Sequence, residues 1–398
     1  MDVTPRPPEW IAILVAVFLA IWLFLMPQSP VQGQEIAVQS AVLALNSVDQ
    51  QSIVLYEAVW GQMQRLTVGK GKQLAWGFSS DGCRLLATLN GKPVTINING
   101  GGASPLFDSE VHASLLGESW FVDELSWSSD GEQVAMVLAR TTTRGNVTTQ
   151  THHIAVANIT TGTLTLYSQT GREFSPQWSP DGAWLAYISY DERVAGADVF
   201  STAVPTPTLP AGVTPPPVTV LNEADLWVTS ADNSVKYRLT SFNTGNVTMP
   251  RWSTDSQLVS FVYSPSPSDD MFWMIANEQG AIPTQLSYAY VLAMDSTWTP
   301  DSSRIIGVAR GLRGVEENRL WAIPLVGRAD QDATLYLPNA DLSHADYPRF
   351  SPDGRFLAVR TAYALAIVDV ISGETRLLED TWAMGNTPPL WANRACEG

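Results

Sequence analysis

A chain of 398 residues, 45% apolar and only 16% charged, is long enough for several domains or one large repeat array. Its formal net charge of -16 repels phosphate backbones, so nucleic acid is not an expected partner. Two cysteines and four histidines are too few for a disulfide scaffold, a zinc centre or a histidine-rich catalytic site.

The first element is apolar. Residues 1–9 form a stub, and Trp10–Met26 reads WIAILVAVFLAIWLFLM without a charge. As a helix rising ~1.5 Å per residue, this run nearly covers a ~30 Å hydrocarbon core. Trp10 and Trp22 lie near its ends, Pro27 stops it, and after Arg6 no basic residue follows until Arg65. That asymmetry puts the stub in the cytoplasm and the remainder outside, anchored in the cell membrane by one transmembrane helix. Cleavage after Val31-Gln32-Gly33 as a signal peptide is the alternative, leaving a secreted or periplasmic chain; such signals carry a shorter apolar run of ~7–15 residues. Residues 27–49 read as a linker with a candidate first strand over Ile36–Leu45.

From residue 50 to 398 the chain repeats itself. Six segments share an aromatic residue, Ser or Thr, any residue, Asp, then Gly or Ser: Phe78-Ser-Ser-Asp81-Gly82, Trp127-Ser-Ser-Asp130-Gly131, Trp178-Ser-Pro-Asp181-Gly182, Trp252-Ser-Thr-Asp255-Ser256, Trp298-Thr-Pro-Asp301-Ser302 and Phe350-Ser-Pro-Asp353-Gly354. Their aromatic residues are 49, 51, 74, 46 and 52 positions apart. Each segment has the residue preferences of a type I turn and precedes a short apolar run such as Leu85-Leu86-Ala87. A third strand and a fourth follow, as in Ile154–Ala157 and Leu164–Tyr167. Four strands in roughly 45–50 residues is a β-propeller blade, and the aromatic residue before each turn is expected between neighbouring blades.

The expected fold is therefore all-β, a β-propeller of four-stranded blades, seven in preference to six, closed through the termini. Pro389-Leu390-Trp391 resembles a seventh inner strand, while Ser52–Tyr56 and Gln64–Thr67 are outer strands without a signature before them. Cys83 lies five residues after Phe78 and Cys396 five after Trp391, so the two occupy equivalent positions in adjacent blades. A disulfide between them would lock the ring; two unpaired thiols, separated beyond the ~7 Å Cα limit, is the competing reading.

Pro176–Ser189 (PQWSPDGAWLAYIS) and Pro348–Val359 (PRFSPDGRFLAV) resemble the WD40-like repeat of the TolB-like propeller family. The resemblance covers roughly residues 50 to 398 and implies fold more strongly than function. Related propellers serve as periplasmic TolB, as the non-catalytic half of prolyl oligopeptidases and in LpqB-type lipoproteins. This chain lacks the hydrolase domain, the lipobox, and the Gly-His and Trp-Asp dipeptides of eukaryotic repeats.

A search for chemistry is mostly negative. No complete Gly-x-Ser-x-Gly, Ser-x-x-Lys or His-Glu-x-x-His occurs. His152-His153 precedes a third strand, where adjacent residues face opposite ways, and reads as a solvated edge. Each repeated Asp is alone in its turn and suits backbone N–H groups better than calcium. Ser268-Asp269-Asp270 reads as a plain acidic loop, and Asn146, Asn158 and Asn246 start Asn-x-Thr triplets. Residues 191–221, rich in Pro and Thr, should be an exposed loop between the second and third strands of the third signature's blade. No catalytic residue, metal or cofactor is expected. The expected function is non-enzymatic: binding or scaffolding of a protein, peptide or glycan beside the membrane. A hydrolase or lyase with a site at the channel mouth, or a sensor working through a membrane partner, are the alternatives.

Overall fold

The computed structural model describes residues 41–398 apart from 67, 100–101, 118, 146, 169, 195–219, 243–244, 266–271, 278–282, 287–291, 311, 327–328, 363, 379–386 and 397–398. The apolar run Trp10–Met26, its stub, Asn146 and Ser268–Asp270 therefore lie outside the described residues. No helix among the described residues is long and apolar enough to cross a membrane.

The described chain forms seven groups of four strands, here called blades. Blade 1 contains Leu390–Trp391, Val42–Asn46, Ile53–Glu57 and Gln62–Leu66. Blade 2 contains Gln73–Phe78, Arg84–Leu89, Lys92–Asn97 and Ala103–Pro105, and blade 3 contains Trp120–Trp127, Gln133–Arg144, Val147–Asn158 and Leu164–Leu166. Blade 4 is built from Glu173–Trp178, Trp184–Val194, Val220–Ser230 and Lys236–Arg238. Blade 5 has Asn246–Trp252, Leu258–Ser264, Phe272–Asn277 and Thr284–Gln285, and a single parallel pairing, Ala224 with Asn246, joins it to blade 4. Blade 6 has Leu292–Trp298, Arg304–Arg310, Arg319–Pro324 and Thr334–Leu335; blade 7 has Asp346–Phe350, Phe356–Arg360, Leu365–Asp369 and Thr375–Leu378.

The second strand of each blade carries a buried, mainly apolar run because both of its faces are covered there. Leu85 and Ala87 pack toward blade 1, while Leu86 packs toward blade 3. Ile305 and Ala309 pack toward blade 5, and Ile306 and Val308 toward blade 7. Two-residue alternation thus feeds two separate cores, so no polar face breaks the run. Similar clusters join blades 3 and 4, and 4 and 5. Blade 7 packs on blade 1 through Phe356, Ala358, Leu365, Leu43 and Tyr56.

The signature turns share one hydrogen-bonded arrangement. In blade 4 the Ser179 hydroxyl donates to Asp181 Oδ1 at 2.5 Å and accepts from Trp184 N at 2.9 Å, while Ala183 N donates to Asp181 Oδ1 at 3.0 Å. The five other signatures repeat it, with Thr299 replacing Ser in blade 6. Each turn also has the i to i+3 backbone bond, for example Gly182 N to Ser179 O at 2.8 Å. The residue closing the turn has positive φ, 73° at Gly182 but 62° at Ser256 and 57° at Ser302. Ser at those two left-handed positions has a compensating use: its hydroxyl accepts the backbone N–H of Asp181 or Asp255 in the preceding blade, each at 3.0 Å.

Several details differ from the sequence reading. The candidate first strand over Ile36–Leu45 is described from Val42 to Asn46, one residue beyond its expected end, and residues 36–40 lie outside the described residues. The third strand of blade 3 starts at Val147 rather than Ile154, because it stays paired with Gln133–Arg144 out to Arg144. In blade 4 the second and third strands run to Val194 and back from Val220, so both ends of the 191–221 insertion are strand, and 195–219 fall outside the described residues.

The first and last described strands pair in blade 1, where Leu43 faces Trp391 and Ala44 faces Leu390. Beside this pairing Cys83 and Cys396 form a disulfide, with Cα atoms 4.6 Å apart and 313 residues between them in sequence. In denaturant, thiol titration should find two more groups after reduction than before. The double variant Cys83→Ala, Cys396→Ala should lose about 2–5 kcal/mol of unfolding free energy. An unchanged midpoint of denaturation would show that the bridge adds nothing to the ring.

Candidate functional site

The inner strands line one cavity. The aromatic residue of each signature turns toward a blade interface, so the residue just before it points the other way. Those preceding residues include Gln177, Arg251, Arg349 and Leu390, and all four line a cavity of about 480 Å³. Blades 1, 2, 3, 4, 5 and 7 contribute to it, which makes it the central channel.

The indoles fix the backbone on which these channel residues stand. Trp252 Nε1 donates to Gln177 O at 3.0 Å, Trp298 Nε1 to Arg251 O at 3.0 Å, and Trp391 Nε1 to Arg349 O at 2.9 Å. These three aromatic residues thereby tie down the channel residue of the blade before them, whereas the buried Nε1 atoms of Trp127 and Trp178 have no hydrogen-bond partner. Phe78 and Phe350 carry no such donor and contribute packing alone. A register shift in the inner strands turns further residues inward, as between Phe174 and Gln177 and between Thr248 and Arg251. Ser175, Met249 and Tyr347, each three residues before its aromatic, have φ of 54°, 54° and 49°.

Charge gathers at this level. Asp295 has a side-chain exposure of 2% and stands behind two arginines. Arg349 Nη2 lies 2.7 Å from Asp295 Oδ2, an ion pair outside hydrogen-bond alignment, and Arg251 Nη2 lies 3.5 Å from Oδ1. Across the channel, burial pushes the Glu124 carboxyl above the ordinary range for glutamate, although Ser175 donates to it from both its N–H and its hydroxyl. Asn46 lies in the same ring and pairs with the backbone of Ala75, donating to its carbonyl at 3.1 Å and accepting its N–H at 2.7 Å.

One mouth of the channel carries a second group. His152 Nε2 is 3.3 Å from Asp123 Oδ2, and its ring lies 4.6 Å from that of Phe174, which meets Tyr190 edge-on at 5.6 Å. Phe174 and Tyr190 line both the channel and a shallow hollow of about 340 Å³ beside His152 and Arg172. The solvated-edge reading of the two histidines is thus corrected. His153 is 5% exposed and sits 3.1 Å from both Arg140 Nη2 and Thr151 Oγ1, with burial pushing its pKa down. The strand is covered here because blade 3's third strand bridges to Arg172 at the start of blade 4.

The other histidines lie elsewhere. His112 Nε2 bonds to Gly162 O at 2.7 Å, and His344 is exposed with φ of 56°. Among the described residues no three His, Cys, Asp or Glu side chains come together as a metal site. The repeat-turn residues Asp81, Asp130, Asp181, Asp255, Asp301 and Asp353 all hold turns rather than line the channel. Glu124, Arg251, Asp295 and Arg349 drew no notice in the sequence, although each lies one or three positions before a signature aromatic residue.

No protein-family model and no curated protein matches the sequence. Among solved structures the chain is similar to oligogalacturonate lyase from Vibrio parahaemolyticus, with a TM-score of 0.56 and 12% identity over 84% of this chain and 92% of that one. It is similar also to an oligogalacturonate lyase in complex with manganese, with a TM-score of 0.52 and 13% identity over 86% and 92%. TolB from Acinetobacter baumannii aligns with a TM-score of 0.45 and 13% identity over 89% and 67%. The two lyase likenesses, both with TM-scores above 0.5, are likenesses of fold and agree with the propeller arrangement of the sheets.

The raised Glu124 pKa has a defined consequence. A carboxyl whose folded pKa exceeds its unfolded value favours folding while protonated, and that contribution fades as pH rises through the folded pKa. Glu124→Gln should match the wild type near pH 4, about the unfolded value for Glu, and gain on it steadily as the pH rises. Denaturant midpoints measured across this range would test it, and a constant difference between the two proteins would refute it.

Proposed function

We propose that this propeller, a ring of seven blades closed through its termini, is a binding or scaffold module rather than an enzyme. Its ligand, a protein, peptide or glycan, enters the channel. The observation that carries this reading is the channel cavity itself. It is concave, of about 480 Å³, and lined by Trp76, Phe174 and Tyr190 together with Glu124, Arg251 and Arg349. Apolar and aromatic walls with a few convergent polar groups are the usual make-up of a ligand site. The run Trp10–Met26 supports anchoring to the cell membrane with the propeller on the extracytoplasmic side, and the Cys83–Cys396 bridge suits an oxidising compartment.

The test is crosslinking in intact cells, with capture of the tagged protein and mass spectrometry. A reproducible partner, lost when Ser175→Trp obstructs the channel and kept when an exposed position such as Val326 is changed, is the expected result. Capture that is indifferent to the obstruction would sink the reading.

A hydrolase or lyase is the second reading, favoured by one observation: His152 meets Asp123 at the channel mouth, 3.3 Å apart. Such a pair can orient an imidazole as a base. The fold likeness to oligogalacturonate lyase supplies a first substrate to try, with manganese present. Product release that disappears in His152→Ala would replace the binding reading with this one; no release would leave His152 as a contact at the mouth.

A further inference from the structure

The charges of the channel wall are unequal. Among its described lining residues stand two guanidinium groups, Arg251 and Arg349, and one carboxyl, Glu124. Their shared counter-ion, Asp295, is buried behind them and does not line the cavity. One carboxylate thus serves two arginines from the rear. The remaining contacts of Arg251 are weak: Nη1 reaches its neighbour's carbonyl, Pro250 O, at 3.2 Å, and its buried Nε has no hydrogen-bond partner. Arg349 is held by Pro348 O at 2.6 Å and Ser296 O at 3.4 Å. Burial is the largest cost to the Arg251 charge, the nearby Arg349 charge adds to it, and Asp295 and, more weakly, Glu124 offset them. The opposite wall, from blades 2 and 4, is formed by Trp76, Phe174, Ile188 and Tyr190.

Resting on the binding reading above, we infer that the channel takes a ligand with a single carboxylate on an apolar or aromatic carrier. The acid group sets against Arg251 and Arg349, and the carrier against Trp76, Phe174 and Tyr190. A guanidinium matches a carboxylate in both charge and geometry. The cavity is of the size that holds a dipeptide-scale group. A polyuronate is disfavoured, because it carries a charge on each ring while the channel wall offers one pair of guanidinium groups and a carboxyl, Glu124, in a protein of net charge -16. The free acid and the C-terminus of a peptide share the required chemistry.

The experiment uses calorimetric titration of the whole protein with phenylacetate, indole-3-acetate and N-acetylphenylalanine, each beside its primary amide. Acids should bind about tenfold more tightly than their amides, the scale of a charge-assisted hydrogen bond. Arg251→Met and Arg349→Met should each abolish that preference. Arg251→Lys, which keeps the charge, should retain part of it and guards against a folding defect. N-acetylated tetrapeptides ending in a free carboxylate or an amide separate the sources: tighter binding of the free-ended peptide than of any small acid assigns a chain terminus, and weaker binding assigns a free acid. No binding by any acid at millimolar concentration, equal binding of acids and amides, or tighter binding of oligogalacturonate than of every monoacid would overturn the inference. A crosslinked partner that needs the open channel but survives Arg251→Met and Arg349→Met would overturn it while leaving the binding reading intact.

Discussion

The inner part of each described sheet buries apolar side chains on both faces, and no sheet can cover both alone. A row of such sheets would end in two uncovered faces. Exposing Leu43, Tyr56, Phe356, Leu365 and Ile367 at the junction of blades 7 and 1 would cost about 1.5–3 kcal/mol for each side chain. That sum is comparable to the whole net stability of a typical domain, about 5–15 kcal/mol. The pairing of Leu390–Trp391 with Val42–Asn46 and the Cys83–Cys396 bridge are two answers to this one requirement. One supplies the missing inner strand, and the other ties it to the neighbouring blade.

The same requirement makes the channel. Sheets packed face to face around an axis leave their innermost strands side by side, with only alternate residues free to point inward. Those positions are exempt from the demand for apolar packing, so the chain can place charge there. Asp295, Arg251 and Arg349 come from blades 6, 5 and 7, and their approach to within a few ångströms depends on interfaces in which none of them takes part. The indole bonds from Trp298 to Arg251 O and from Trp391 to Arg349 O link the two jobs, since one ring both fills an interface and steadies a channel residue.

The architecture was legible because it repeats. Six copies of one turn, spaced a blade apart, announce their strands, and each copy uses its Ser and Asp as local chemistry predicts. The same hydrogen-bonded arrangement also closes Ser47–Ser52 and Ser230–Val235, where no aromatic residue precedes it and the pattern escaped notice. The site was less legible for the opposite reason: its members do not repeat. Glu124, Ser175, Asp295 and Arg349 stand at related register positions but differ in kind, and nothing in one sequence marks which of them meet. Burial of His153 was invisible as well, since it depends on the blade 3 strand extending to cover Arg172. The channel position just before each aromatic residue could have been read from strand alternation alone.

The join in blade 1 also bears on how the protein comes to be made. Leu390 and Trp391 leave the ribosome after every other strand, yet their place is beside Val42–Asn46, among the earliest to emerge. Until then the edge of Val42–Asn46 has no partner, and the faces of blades 1 and 7 have no cover. Blade 1 therefore cannot be completed from its own early strands, and stays open until Leu390 and Trp391 have been made. Over that interval the chain needs protection from strand-to-strand association with its neighbours.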